Sequence, residues 1–222
     1  MSVITISREL GSEGDAIARQ VAQNLGYRFV DKAFIGNVLS QYGLVEFDKE
    51  YDYLPTFWEK FNAQKEERRD LMVDMLNRVI RTVAQNGKMI ILGRSGFAIL
   101  SGFADVLNVR IQAPLPVRIK RVMLRNNITA FQAEDTIREG DQVRAAFIKS
   151  FYGLQWDTAR AFDLIINTGK ISPDLAVNWI ISFADQYQEK SVPSSPSIAD
   201  GQVDPILASA ISSELAKIEK TG

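Results

Sequence analysis

The chain has 222 residues, 46% of them hydrophobic, and 26 basic against 27 acidic residues leave a net charge of −1. That length supports one substantial core with room for a small appendage, and near-neutrality leaves no global field to draw in nucleic acid or an anionic membrane. The absence of histidine and cysteine excludes Ser-His-Asp and Cys-His nucleophiles, thiolate zinc sites and disulfides, while oxygen-ligated Mg²⁺ stays compatible.

Short β-branched runs alternate with long 3.6-period segments, which predicts an α/β fold on a mostly parallel sheet. Val3–Ile6 is the first strand, and Asp15–Leu25 the helix after it, with Ile17, Val21 and Leu25 inward. Arg28–Val30 and Lys32–Gln41 repeat the pattern. From Phe47 to Gln85 the chain is long for one crossover, and its mixture of Tyr51, Tyr53, Phe57, Trp58 and Phe61 with KEERRD predicts a helical insertion, residues 47–86, with a helix over Thr56–Asn86. Strands follow at Met89–Leu92, Asn108–Ile111 and Asp163–Ile166, helices at Leu115–Asn126, Ala130–Phe151 and Pro173–Tyr187. One domain therefore spans residues 1–187. Residues 188–203, rich in Ser and Pro, read as a flexible linker. Asp204-Pro205 opens a last helix, residues 204–222, with Ile206, Leu207, Ile211, Leu215 and Ile218 on one stripe. A lone helix of that length needs a surface to pack on, its own core or a second copy of the chain, so a homodimer through it or the insertion is one expectation. No run nears the roughly 20 apolar residues that span a bilayer, and the opening residues lack a signal-peptide pattern. The cytoplasm is the expected address, with no membrane partner.

The first strand runs into Ser7-Arg8-Glu9-Leu10-Gly11-Ser12-Glu13-Gly14-Asp15 and then a helix. Glycines let backbone amides approach an anion and a helix N-terminus adds partial positive charge. A competing reading is purely local, because Ser12 and Asp15 have the S-x-x-D spacing of a capping box. Charge also opposes a phosphate here: Arg8 against Glu9, Glu13 and Asp15 gives +1 − 3 = −2. These acids must point outward or meet a metal.

Arginines recur elsewhere. Arg94 leaves the third strand at the carboxyl edge, where ligands of open α/β sheets bind, and a guanidinium suits phosphate. Arg118, Arg121 and Arg125 form a stripe on one predicted helix, and Arg138, Asp141 and Arg144 recur three apart on the next. Two such stripes across a short turn predict a hinged clamp for phosphates. No basic run is interleaved with aromatics, so nucleic acid is not an expected partner.

The stretches ITISRELGSEGDAIARQVAQNLGYRFVDKAFI, ILGRSGFAIL, VRIQAPLPVRIKRVM, IREGDQVRAAFIKSFYG and FDLIINT, in that order, resemble the cytidylate kinase-like family, a branch of the P-loop nucleoside monophosphate kinases. The resemblance covers roughly Ser2–Tyr187. It implies a three-layer α/β/α P-loop fold with a five-stranded parallel sheet, a helical insertion and a lid over residues 115–152. The implied reaction moves the γ-phosphoryl of Mg-ATP to a nucleoside monophosphate, CMP or dCMP by analogy, so Mg²⁺ and ATP are the expected cofactor and co-substrate. By the resemblance, Gly11, Ser12, Glu13, Gly14 and Asp15 form the phosphate loop, and Asp31 opens the monophosphate segment. Arg94 matches the arginine of an Asp-Gly-Arg motif, and Arg121, Arg125, Arg138, Asp141 and Arg144 fall in the lid. Departures are equally specific. Gly14 stands where the loop lysine belongs, Ala16 where a magnesium-binding hydroxyl belongs, Asp15 where this branch commonly has a basic residue, and Leu92 where the motif has its Asp. Two expectations follow. In an active kinase, Arg8 or a lid arginine replaces the lysine, with Arg8, Arg138 and Arg144 the catalytic candidates, while Glu9, Glu13 or Asp15 helps hold Mg²⁺, Glu9 foremost. In the alternative, the chain is a non-catalytic nucleotide or phosphate sensor.

Overall fold

The structure, a computed structural model, describes residues 3–44, 63–187, 196–202 and 204–219. Five strands, β1 (Val3–Arg8), β2 (Arg28–Val30), β3 (Met89–Leu92), β4 (Val106–Gln112) and β5 (Leu164–Asn167), form one sheet in the order β2-β3-β1-β4-β5. Every neighbouring pair is parallel. The helices are α1 (Gly14–Leu25), α2 (Lys32–Gln41), α3 (Ala63–Gln85), α4 (Gly96–Ile99), α5 (Leu115–Asn126), α6 (Ala130–Tyr152), α7 (Pro173–Tyr187) and α8 (Pro205–Glu219).

A parallel sheet covered on both faces needs strands that are apolar on both sides, and VITIS, MIIL and VLNV supply them. The pleat then sorts alternate residues. Val3, Met89 and Ile91 join Val38, Leu76, Ile80 and Val83 in one core layer, whereas Ile4, Ile6, Ile90 and Leu92 join Ile17, Val21, Val177 and Ile180 in the other. The result is three layers, as the sequence predicts.

Several bounds differ for identifiable reasons. β1 continues through Ser7 and Arg8 because they pair with Arg110 and Ile111 of β4, a register that polar side chains conceal. Asn108 and Thr5 are likewise polar yet central, their mutual hydrogen bond of 2.6 Å satisfying both. The short helix α4 is too brief to show a period. Residues 45–62, with Tyr51, Tyr53, Phe57, Trp58 and Phe61, lie outside the described residues, as do linker residues 188–195 and Val203. The rest of the linker is anchored: Ser197 Oγ and the Ile198 amide each donate to Asp105 at 2.9 Å.

The last helix docks on its own chain. Leu207, Ile211 and Leu215 enter the core layer shared with α2 and α3, Asn37 donates to Glu214 at 3.0 Å, and Arg78 pairs with Asp204.

This strand order positions the site. With β1 between β3 and β4, the chain crosses over β1 on its way from β3 to β4, and the crevice beyond the carboxyl ends opens at that crossing. The β1–α1 loop and the β3–α4 turn form its walls.

Candidate active site

The β1–α1 loop packs too tightly for side chains at two glycines. Gly11 has φ 82°, and a Cβ there would meet Arg118 O and Val122 Cγ2 at 3.0 Å. Glu13 caps α1 in the left-handed region (φ 67°) without a side-chain cap bond. The Ser12–Asp15 capping box therefore does not form. Ser12 Oγ donates to Glu9 O at 2.8 Å, and Asp15 turns to Arg8, 3.0 Å away. No side chain of the loop takes the first-turn amides of α1, the arrangement in which a helix start suits an anion.

The loop acids each lie beside an arginine, Asp15 at a half-exposed position and Glu13 at a partly exposed one. Glu9 accepts from the Ala113 amide at 3.0 Å and lies 3.4 Å from Arg118 and 3.6 Å from Arg110. Glu9, the residue expected foremost to hold magnesium, thus holds β4 and α5 to the loop. Glu13 lies 3.9 Å from Arg121. Burial raises the Asp15 pKa, but Arg8, with Arg144 and Arg125 behind it, more than reverses this and holds the carboxyl below its ordinary value. The −2 of the loop is thus offset by guanidinium groups from β4 and α5. Among the described residues no three carboxylates cluster as a cation cage. Mg²⁺ commonly keeps waters and binds through few carboxylates plus substrate phosphates, so the residues present fit an ion arriving with a nucleotide, not a resident one.

Arg110 lies under this layer, 2% exposed. It donates to Trp156 O at 2.8 Å and stacks 4.5 Å from the Trp156 ring. Burial lowers its pKa while Glu9 opposes the shift.

Above the sheet edge, a cavity of about 300 Å³ is lined by Arg8, Lys32, Arg94 and Arg144, with Ser7, Ser95, Glu139 and Trp156 among its other walls. Three segments deliver these arginines: the end of β1, the β3–α4 turn and α6. Gly93 (φ 69°), Arg94 (φ 49°) and Ser95 (φ 60°) are successively left-handed. That conformation costs non-glycine residues on the order of 1–3 kcal/mol each and is held by surrounding structure, typically at functional sites. Here it turns Arg94, 4% exposed, into the cavity wall.

Helices α5 and α6, where the lid is expected, are fastened to the loop. Asp141 on α6 accepts from the Leu10 amide at 3.0 Å, from Arg118 at 2.5 Å and from Arg144 at 3.1 Å. Arg121 donates to Thr168 O at 2.8 Å and to its hydroxyl at 3.0 Å, and that hydroxyl donates to Ser12 O at 2.8 Å. The two stripes do not form the predicted clamp. Arg118 and Arg121 are ties, Arg125 is exposed beside Asn126, and Arg138 is exposed in an ion pair with Glu134, outside the cavity. Asp31 caps α2 through the Ala33 and Phe34 amides and pairs with Arg19 at 3.1 Å. Sequence reasoning missed Lys32, which is adjacent to Asp31, and Thr168, which follows β5 in the turn NTG. Both sit at strand ends on the crevice side, the signal that could have found them.

A five-stranded parallel sheet of this order, a glycine-bearing loop between β1 and α1, and a helical pair over it define a P-loop kinase fold. The model of the cytidylate kinase-like family matches residues 3–170, and the chain belongs to that family. Similar proteins include the cytidylate kinase of Ignicoccus hospitalis, 28% identical over 183 residues, covering 81% of this chain and 97% of the relative. The cytidylate kinase of Halobacterium salinarum is 25% identical, covering 84% and 91%. Among solved structures, an uncharacterized protein from Eubacterium ventriosum has a TM-score of 0.65 at 22% identity, covering 83% of this chain and 98% of its own. α8 lies beyond the matched residues.

Proposed function

We propose that the chain transfers the γ-phosphoryl group of Mg-ATP to a nucleoside monophosphate, with CMP and dCMP the first acceptors to test because the similar proteins carry the name cytidylate kinase. The observation that carries this reading is the convergence of Arg8, Arg94 and Arg144 on one cavity at the carboxyl edge of the sheet. Loop residues Gly11–Gly14 and the start of α1 would receive the donor phosphates, and Arg94 with Lys32 the acceptor phosphate. Arg144 would reach both from the lid. In the step itself an acceptor phosphate oxygen bonds to the γ-phosphorus as the bond to the β–γ bridging oxygen breaks, releasing ADP. Such transfer depends on alignment and on neutralising charge spread over the moving group, which guanidinium groups supply without a proton-transfer residue. Magnesium, arriving with ATP, neutralises further charge on the phosphates.

The test is ADP release with ATP, Mg²⁺ and each common nucleoside monophosphate in turn. Turnover with at least one acceptor is expected. A second reading, binding without transfer, is favoured by Gly14 and Ala16 at the positions of the loop lysine and hydroxyl. Calorimetric binding of a monophosphate with no turnover for any acceptor would establish it and remove the first.

A further inference from the structure

We propose that Arg8, from the end of β1, supplies the loop cation that a lysine at position 14 would otherwise supply from α1, and that Gly14 lacks a side chain to make room for it. A Cβ on Gly14 would stand 2.5 Å from Arg8 Cβ and 2.8 Å from Arg8 Cγ. Side chains at positions 8 and 14 therefore compete for one space: with Arg8 present, a lysine at 14 forces the base of Arg8 or the backbone to shift. At its other end, Arg8 Nη1 fills the space of a Cβ on Gly93, so the guanidinium bridges the β1–α1 loop and the β3–α4 turn. It thereby faces both the loop and the cavity lined by Arg94 and Arg144.

The donors of Arg8 are differently spent from those of its neighbours. Arg118 and Arg121 give theirs to carbonyls and side chains of the fold. Arg8 is held by Asp15 through Nη2, and its buried Nε has no hydrogen-bond partner among the described residues. Asp15 acts as a positioning residue, steering the guanidinium along the first turn of α1. This accounts for two departures at once: Gly14 loses the lysine because Arg8 fills its space, and Asp15 appears because Arg8 needs a counter-ion.

The proposal rests on the phosphoryl-transfer reading for its chemistry, so its test reads binding of inorganic tripolyphosphate by calorimetry on the full chain, beside turnover. Arg8→Gly is expected to lower tripolyphosphate affinity about tenfold to hundredfold, the scale of one charge-assisted hydrogen-bonding group. Gly14→Lys alone should bind no better than wild type and melt lower. The double variant Arg8→Gly with Gly14→Lys, which clears the overlap, should regain most of the loss, and that rescue is something a merely structural arginine would not give. Folding of each variant is followed by circular dichroism. If Arg8→Gly fails to fold, Arg8→Gln, which keeps the stem without the charge, should show the same loss. Unchanged tripolyphosphate binding in the neutral variant, no tripolyphosphate binding by wild type, or a folded double variant no better than Arg8→Gly would each overturn the proposal. Wild type that binds tripolyphosphate and transfers nothing would instead sink the kinase reading and leave the role of Arg8 standing.

Discussion

Asp141→Asn isolates the tie between lid and loop. The carboxylate, 18% exposed, accepts from the Leu10 amide, Arg118 and Arg144. Asparagine keeps one acceptor oxygen, enough for Leu10, but turns an amide donor towards one guanidinium. Arg118, its side chain 11% exposed, would be left with carbonyls and the more distant Glu9. Breaking a buried pair on one side costs about 3–5 kcal/mol. Retention of the Leu10 bond and the nearness of Glu9 bring the expectation to about 3 kcal/mol. For a chain of this size about 1 kcal/mol shifts the melting temperature by roughly 2–4 °C, so the variant should melt about 6–12 °C lower in a calorimetric scan. A cycle with Arg118→Gln should show a coupling of about 1 kcal/mol or more. A variant melting within about 1 °C of wild type, or two strictly additive substitutions, would show that Asp141 does not fasten the lid.

Arg94→Ala should raise the acceptor KM about tenfold to hundredfold and leave the ATP KM nearly unchanged, a split read from initial rates at saturating co-substrate. Ile211→Ala, at a side chain with no exposure in the core layer, should cost about 2–5 kcal/mol in urea unfolding, because α8 completes the fold; a change under about 0.5 kcal/mol would make the helix an appendage. For Asp15 the folded pKa lies below the unfolded one, so its stabilising effect is present above the unfolded pKa of about 3.9 and is lost as pH falls through the folded value. The urea midpoint of wild type should therefore exceed that of Asp15→Asn at pH 7, and the gap should narrow as pH falls below about 3.9; a gap that does not narrow in acid would show that the Arg8 pair is not its source.

Elements built on period were legible in the sequence, and contacts made across distance were not. VITIS and MIIL announce strands buried on both faces, and the glycines of the first loop announce a close backbone approach. The loop charge misled because Arg110, Arg118 and Arg121, which offset Glu9 and Glu13, lie about a hundred residues further along the chain. The lid misled for a geometric reason. Successive residues turn by about 100° in a 3.6-residue helix, so Arg138 and Arg144, six apart, stand roughly 120° from each other. Asp141 and Arg144 remain neighbours and face the loop, while Arg138 swings to solvent beside Glu134.

Cavity electrostatics explain how acids and phosphate can share one loop. Among the described residues, Arg8, Lys32, Arg94 and Arg144 outnumber Glu139 in the cavity lining, and Arg8 and Arg144 pair with Asp15 and Asp141. An entering phosphate competes with those carboxylates for Arg8 and Arg144, at roughly 4 kcal/mol per unit pair at about 4 Å and an effective dielectric near 20. A phosphate of charge −2 outbids a single carboxylate for either guanidinium, whereas a monoanion only matches it. On the phosphoryl-transfer reading, these carboxylates are the groups that an entering phosphate would displace from Arg8 and Arg144.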